Sequence, residues 1–351
     1  YIPYGAFGSM DPDINSPRSQ QWNVTLEQQL GTAWGVSASY LGSYSDRLWH
    51  TQALNPGVFL GTGRCTLDTA DGPVTYRACS ANSNLNQRRK FSLEDPIKSA
   101  QIGALDLNSD VGWQKYRGLK LSLRRQAGTG VSLNGNYTLS KCEGTPTALV
   151  SATFNQISAG YTDPDNPDAD AGYCDQDRKH LGTFNMGYQT PDLGGGVAGA
   201  LASNWRVSGI LSARSGSRLN VIQGRDTAFT GISTQRPDLV PGVDIYGPGK
   251  SASGSKPGEF IDGYLNADAF ARPAAGTNGN MTRNLPVGPA FWQVDMALSK
   301  LIPVGTHRVE LRLETFNLFN TFNWGNPEVR QSRAQFGRIS TQAGDPRILQ
   351  F

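Results

Sequence analysis

The chain has 351 residues, 38% of them hydrophobic and only 17% charged, with a formal net charge of +3. That balance excludes the basic footprint of a nucleic-acid binder, and the absence of any run of about 20 apolar residues excludes a transmembrane helix. The space is filled by 41 Gly, 20 Pro and many uncharged polar residues. A long-looped β protein has this composition, and so does a membrane barrel whose lipid face takes only every second residue.

The opening Tyr1-Ile-Pro-Tyr-Gly5 does not read as a signal peptide, so the chain is expected to be a fragment or a trimmed domain. From Gln21 to Leu30 the even positions Trp22, Val24, Leu26 and Leu30 alternate with Gln21, Asn23, Thr25, Glu27 and Gln29. After a tight turn at 31–33, Trp34, Val36, Ala38 and Tyr40 continue the pattern. Period-two alternation of this kind predicts a hairpin with one apolar and one polar face. The same design recurs at Leu119–Leu121–Leu123, and after an Ala127-Gly128-Thr129-Gly130 turn at Val131–Leu139. It returns at Phe184–Tyr188, then after a turn containing Gly194–Gly196 at Trp205–Leu211. The last pair is Trp292–Leu298 and Val309–Leu313, joined around Pro303–Thr306.

The connections alternate in length. Those at 31–33, 127–130, 190–203 and 302–306 are short, and those at about 43–112, 141–179, 215–290 and 320–345 are long. A compact soluble domain rarely carries several structureless loops beyond about 15 residues. Outer-membrane barrels combine short periplasmic turns with long extracellular loops as a rule. The expected fold is therefore all-β, an antiparallel transmembrane β-barrel segment of about nine strands, a partial barrel with long extracellular loops. Arg124, Arg206, Glu310, Arg312 and Glu314 would face a wet lumen. Trp22, Trp34, Tyr40, Trp113, Tyr137, Tyr188, Trp205, Trp292 and Phe316 fall near strand ends, where barrels carry aromatic girdles.

Cys65, Cys79, Cys142 and Cys174 fit neither a zinc site nor a redox motif. They read as disulfides of an oxidising compartment. Pairing neighbours gives Cys65–Cys79 and Cys142–Cys174, one of three connectivities left open. Asp163, Asp165, Asp168 and Asp170, followed by Asp175 and Asp177, form the one acidic cluster. Clustered carboxylates can hold Ca²⁺, but the EF-hand spacing is not met and the prolines suit a solvated loop. His50, His180 and His307 read as strand-end or loop residues without ligand spacing. Arg88-Arg89-Lys90 reads as a solvated loop or strand end. Glu310 and Glu314 alternate with arginines as a lumen charge ladder. No catalytic residue and no cofactor are expected.

The segment Thr315-Phe-Asn-Leu-Phe-Asn-Thr-Phe-Asn-Trp-Gly-Asn-Pro327 resembles the N-L-F-N-x-x-N-[FW]-G-N-P signature of Oar-like TonB-dependent outer-membrane transporters, the carboxypeptidase-regulatory-like receptor family. Pro17-Arg-Ser-Gln-Gln-Trp-Asn-Val24, Tyr116-Arg-Gly-Leu-Lys-Leu-Ser-Leu-Arg-Arg125, Asn136-Tyr-Thr-Leu-Ser-Lys141 and Arg236-Pro-Asp-Leu-Val240 are similar to further stretches of that family, in order. Ala343-Gly-Asp-Pro-Arg-Ile-Leu-Gln-Phe351 resembles the approach to its last strand. The resemblance implies a Gram-negative outer membrane and a C-terminal part of a barrel of about 22 strands. It also implies a plug and N-terminal domains outside residues 1–351. The implied partners are outer-membrane lipid, the TonB system acting through that plug, and a nutrient of unknown chemistry. A secreted or surface all-β carbohydrate-binding protein is the rival reading. A glycan-cleaving β enzyme is a second, lacking two convincing carboxylates.

Overall fold

A computed structural model describes residues 4–126, 130–146, 161–191, 193–194, 196–251 and 259–351. Ala127, Gly128 and Thr129 of one expected turn, and Gly195 of another, lie outside the described residues. In chain order the strands are β1 Gly5–Met10, β2 Arg18–Leu30, β3 Trp34–Ala53, β4 Cys65–Thr69 and β5 Gly72–Tyr76. Then come β6 Ile102–Arg125, β7 Val131–Gly144, β8 Gly172–Tyr173, β9 His180–Gln189 and β10 Trp205–Arg214. The last are β11 Asp238–Leu239, β12 Phe270–Ala271, β13 Phe291–Val304, β14 His307–Phe316 and β15 Ile348–Gln350. Two short helices interrupt them, α1 Lys90–Glu94 and α2 Gly196–Ala202. The second occupies what reads from sequence as a plain glycine-rich turn.

One sheet dominates. Its path runs β15-β14-β13-β10-β9-β7-β6-β3-β2, so nine strands pair in an up-and-down order, each antiparallel to the next. The expected nine-strand antiparallel wall is present, and its last strand is only three residues long. The path does not close on itself: β2 and β15 are its two ends.

Register explains the alternation. Glu27, Ser37, Ser122, Asn136, Thr183, Ser212 and Gln293 form one cross-strand row, polar throughout. The adjacent row on the other face is Leu26, Ala38, Leu121, Tyr137, Gly182, Ala213 and Trp292. A one-residue slip of any strand would exchange these faces, so the pattern fixes the pairing. The apolar row is not a protein core. Val24 is 70% exposed, Leu26 75%, Leu121 43% and Leu311 59%. Side chains that protrude like this from a wall need hydrocarbon against them.

Two strands are far longer than the alternation predicts. β3 spans 20 residues and β6 spans 24, whereas about 9–11 tilted residues cross a bilayer. The expected loop at 43–112 thus starts at Leu54 and ends at Gln101. The missed stretch includes Ser43-Tyr44-Ser45-Asp46-Arg47. Beyond the bilayer both faces meet water or loop, so alternation lapses while the backbone ladder continues. Register also shifts around Leu48, next to Arg47 in a left-handed conformation (φ 55°). β1 pairs in parallel with the extension of β6, on the edge that β7 leaves free above Gln114.

The buried core lies in the loops, which are folded and not structureless as the sequence suggests. Val221, Ile261, Tyr264, Leu265, Phe270, Met281 and Ile339 form one hydrophobic cluster. Backbone bridges Ile261↔Ile339, Ile222↔Arg330 and Arg218↔Val287 stitch the same segments together. The protein is therefore a two-faced wall carrying a compact cap on its long-loop end.

The two faces should respond oppositely to charge. Leu121→Arg in the full-length protein should cost about 2–4 kcal/mol, as expected of a cation near the bilayer midplane. Ser122→Arg on the opposite face should cost less than about 1 kcal/mol. Urea unfolding in lipid vesicles checks both, and equal costs would refute the assignment of faces.

Candidate functional site

Two surfaces could meet a solute: the polar face of the wall and the cap above it. On the wall, Glu27, Ser37, Ser122, Arg124, Asn134 and Asn136 line a concavity of about 700 Å³ near the short-turn end. Its chemistry is uncharged hydroxyl and amide with one acid and one base. Ser122 Oγ donates to Asn136 Oδ1 at 2.9 Å, and Thr25 Oγ1 donates to Ser39 Oγ at 2.9 Å. Such a surface hydrates readily and grips nothing tightly. On β14, Arg312 and Glu314 pair at 2.5 Å as neighbours on one face.

The cap is built on an electrostatic clasp. The acidic segment 163–177 meets arginines from the loop between β10 and β13. Asp170 pairs with Arg236, both side chains buried. Arg236 also donates to the Met281 carbonyl at 2.7 Å and the Ala169 carbonyl at 2.9 Å. Asp177 accepts from Arg218 at 2.8 Å and from the Cys142 amide at 2.8 Å. Arg283 lies 3.7 Å from Asp175. Buried charges persist only when paired and hydrogen-bonded in this manner.

The carboxylates of the Ca²⁺ candidate have other partners here. Asp170 is spent on Arg236 and on the Thr162 hydroxyl, 2.7 Å away. Asp163 accepts from the Asp165 amide at 3.2 Å, and Asp168 from the Trp113 indole at 3.4 Å. Among the described residues no group of three or more His, Cys, Asp or Glu side chains could hold a metal ion. The segment's partner is guanidinium. Arg218, Arg236 and Arg283 were the missed residues: they lie far along the chain, and the Arg236–Val240 stretch, though family-like, does not announce a carboxylate partner.

Cys142 is bonded to Cys174 and Cys65 to Cys79. The first bond ties the end of β7 to the acidic segment, and Cys142 is thus a strand residue rather than a loop one. The second closes the β4–β5 hairpin region. Loop closure of these lengths contributes roughly 3–4 kcal/mol each in the chain-entropy account.

Arg88 and Arg89 are also corrected. They are 0% and 7% exposed, not solvated. Arg88 donates to the Val58 carbonyl at 3.0 Å and to the Phe229 carbonyl, and Arg89 to the Asn55 carbonyl at 2.7 Å. The guanidinium's five donors suit it to gather loop carbonyls that no ladder satisfies. Burial pushes both groups down from the usual arginine range, and Asp226 opposes that shift at each.

The Phe/Asn signature is a brace. Asn317, Asn320, Asn323 and Asn326 recur every third residue. The Asn317 amide N–H donates to Asp295 on β13, and its side chain accepts from the Thr321 amide and donates to the Thr321 and Asp345 carbonyls, all within 2.8–3.0 Å. Asn320 accepts from the Arg347 amide at 3.0 Å. Asn323 accepts from the Trp292 amide at 3.1 Å and donates to its carbonyl at 3.0 Å. Asn326 accepts from Ser217 at 2.8 Å. Asn317 and Asn320 take φ near +52°, a conformation Asn tolerates better than most residues.

His50 is on β3 beyond the bilayer, not in a loop, and is only 4% exposed. It packs edge-on to Tyr161, ring centroids 4.0 Å apart. Among the described residues neither ring nitrogen has a hydrogen-bond partner. Burial pushes its pKa down to about 4, with Asp170 opposing and Arg283 assisting. His180 begins β9, its Nδ1 2.7 Å from the Tyr137 hydroxyl, and His307 begins β14.

Residues 2–350 match the family model described as outer membrane beta barrel domain. No curated protein matches the chain in sequence. Among solved structures, it is similar to the FrpB iron transporter from Neisseria meningitidis (F3-3 variant), at 12% identity and a TM-score of 0.40 over 98% of this chain and 32% of that one. It is also similar to the outer membrane transporter YddB from Escherichia coli, at 9% identity and a TM-score of 0.43 over 96% and 32%. The chain spans about a third of the length of these structures.

Two outcomes follow from the cap. His50 stays neutral in the folded cap, so an opened cap binds a proton that the closed one refuses. Stability is full above pH 6.5 and falls as pH drops towards about 4, by roughly 3 kcal/mol at most. Amide exchange of segment 161–177 should therefore accelerate over that range, and His50→Phe should remove the part due to this group. Asn317→Ala strands a part-buried backbone amide and two carbonyls. It should lower stability by about 1–3 kcal/mol and speed exchange at Thr321 and Asp345, whereas Asn320→Ala at the exposed edge should cost less.

Proposed function

Because the chain belongs to the outer membrane beta barrel domain family, we propose that it forms part of the wall and extracellular cap of a TonB-dependent nutrient transporter of the Oar-like type. It is an antiparallel barrel segment of the outer membrane of a Gram-negative bacterium. The observation that carries the reading is the polar row Glu27–Ser37–Ser122–Asn136–Thr183–Ser212–Gln293 set back to back with an apolar row. One face suits passage of hydrated solute, the other suits lipid.

Residues 1–351 are the C-terminal part of the barrel in this reading, and the plug and N-terminal domains belong to the rest of the protein. The motif order supports this, and the outer edges of β2 and β15, which pair with no strand among the described residues and need partners in hydrocarbon, support a partial barrel. The cap meets the nutrient first. Energy relayed by TonB through the plug then opens the lumen, and the wall stays rigid and performs no chemistry. The uptake mechanism rests on the family resemblance, and the polar wall is compatible with it.

Deleting the gene should abolish uptake of one member of a panel of ferric siderophores, oligosaccharides and peptides. Disrupting TonB should abolish uptake of the same compound to the same extent. Uptake lost with the gene but kept without TonB would sink the energy-coupled reading.

A further inference from the structure

One short connection of the wall is more than a turn. On the end opposite the cap, β2 meets β3 across residues 31–33, and β13 meets β14 across 305–306. Between β9 and β10 the chain instead devotes residues 190–204 to the connection and winds α2 there. The helix reads Gly196-Val-Ala-Gly-Ala-Leu-Ala202, without one polar side chain. Its seven residues are too few to hold a helix by propensity alone, so packing must support it.

The C-terminal end of α2 is pinned from one side. The Trp205 indole N–H donates to the Leu201 carbonyl at 2.6 Å. The Lys300 ammonium donates to the same carbonyl at 3.3 Å and to the Ser203 carbonyl. A cation there also suits the negative end of a helix. Trp205 and Lys300 pair directly across β10 and β13, an even number of residues from the Ala213–Trp292 pair of the apolar row. Both side chains therefore project from the apolar face. Their grip holds α2 at the rim on the lipid side of the wall, not beneath the lumen.

The helix turns a glycine to the protein and its larger side chains away. Gly199 is buried, and a Cβ there would meet the Gly194 carbonyl oxygen at 2.0 Å. Val197 and Leu201 lie one turn apart on one helix face and are 78% and 67% exposed. Leu193, just before the helix, is 59% exposed. Trp34, Tyr188 and Trp205 stand at this same end of the strands, on the apolar face. Such a girdle marks the depth where acyl chains meet headgroups. The bare apolar face of α2 continues the lipid-facing wall at that depth.

We infer that α2 is a lipid anchor: it seats in the periplasmic leaflet with Val197 and Leu201 among the acyl chains, about 5–10 Å into the headgroup boundary. Its occupant is the phospholipid surface and not a protein, because the helix is continuous with a face already given to lipid and is tied to it through Trp205 and Lys300. The anchor fixes the depth of the β9–β10 hairpin in the membrane. The inference stands on which face of the wall meets lipid, and not on the cargo or the TonB coupling.

Spin labelling of the full-length protein in phosphatidylethanolamine–phosphatidylglycerol vesicles tests it. The four cysteines of this chain are joined in disulfides, so Val197→Cys and Leu201→Cys each add one reactive thiol to it. Leu311→Cys marks the lipid face and Ser212→Cys the polar face. The ratio of oxygen to nickel-chelate accessibility at 197 and 201 should match that at 311 and stand on the order of tenfold above that at 212. Nickel access like that at 212 would put α2 in water, and protection from both reagents would put it under protein. Either result overturns the anchor. A low ratio at 311 as well would remove the assignment of faces together with the anchor, whereas failure at 197 and 201 alone removes only the anchor. On the unaltered protein, a phosphatidylcholine with a diazirine on its acyl chain should mark residues 193–205. Marks confined to the strands would overturn the placement even if no variant folds.

Discussion

Backbone pairing is the constraint on which this molecule rests. In hydrocarbon an unpaired N–H or C=O costs several kcal/mol, so each crossing strand must be flanked on both sides. Within the meander, β3, β6, β7, β9, β10 and β13 meet that demand with a paired neighbour on each side. Side-chain alternation follows from the ladder, since pairing fixes which face each residue takes. The polar row and the apolar row are two readings of a single register.

The wall cannot supply a hydrophobic core, because one face is given to lipid and the other to water. Tertiary stability is therefore concentrated in the cap. There the means are those of a small secreted domain: two disulfides, a modest apolar cluster and buried ion pairs. Asp170–Arg236 and Asp177–Arg218 join segments more than 40 residues apart, as |i−j| values of 66 and 41 show. Arginine serves this better than lysine because its fork can hold a carboxylate and a carbonyl together.

Much of the wall was legible in the sequence. Leu119-Lys120-Leu121-Ser122-Leu123 announces its strand, its two faces and its length within the bilayer. The extensions of β3 and β6 were not legible, because Ser43–Arg47 lies where neither face is dry. The cap was illegible for another reason. Asp170 reads as one of many loop carboxylates until folding brings Arg236 to it, and Arg88 reads as a surface charge until Val58 and Phe229 close over it. Local periodicity reports the solvent on each side of a residue. It is silent on partners that arrive from distant segments.

The asparagine series from 317 to 326 has a consequence for kinship. Its side chains are consumed in tying β13, β14 and the approach to β15 into one corner. On this geometry the stretch serves assembly. Proteins gathered by this fingerprint should share a corner joint and yet differ freely in diet.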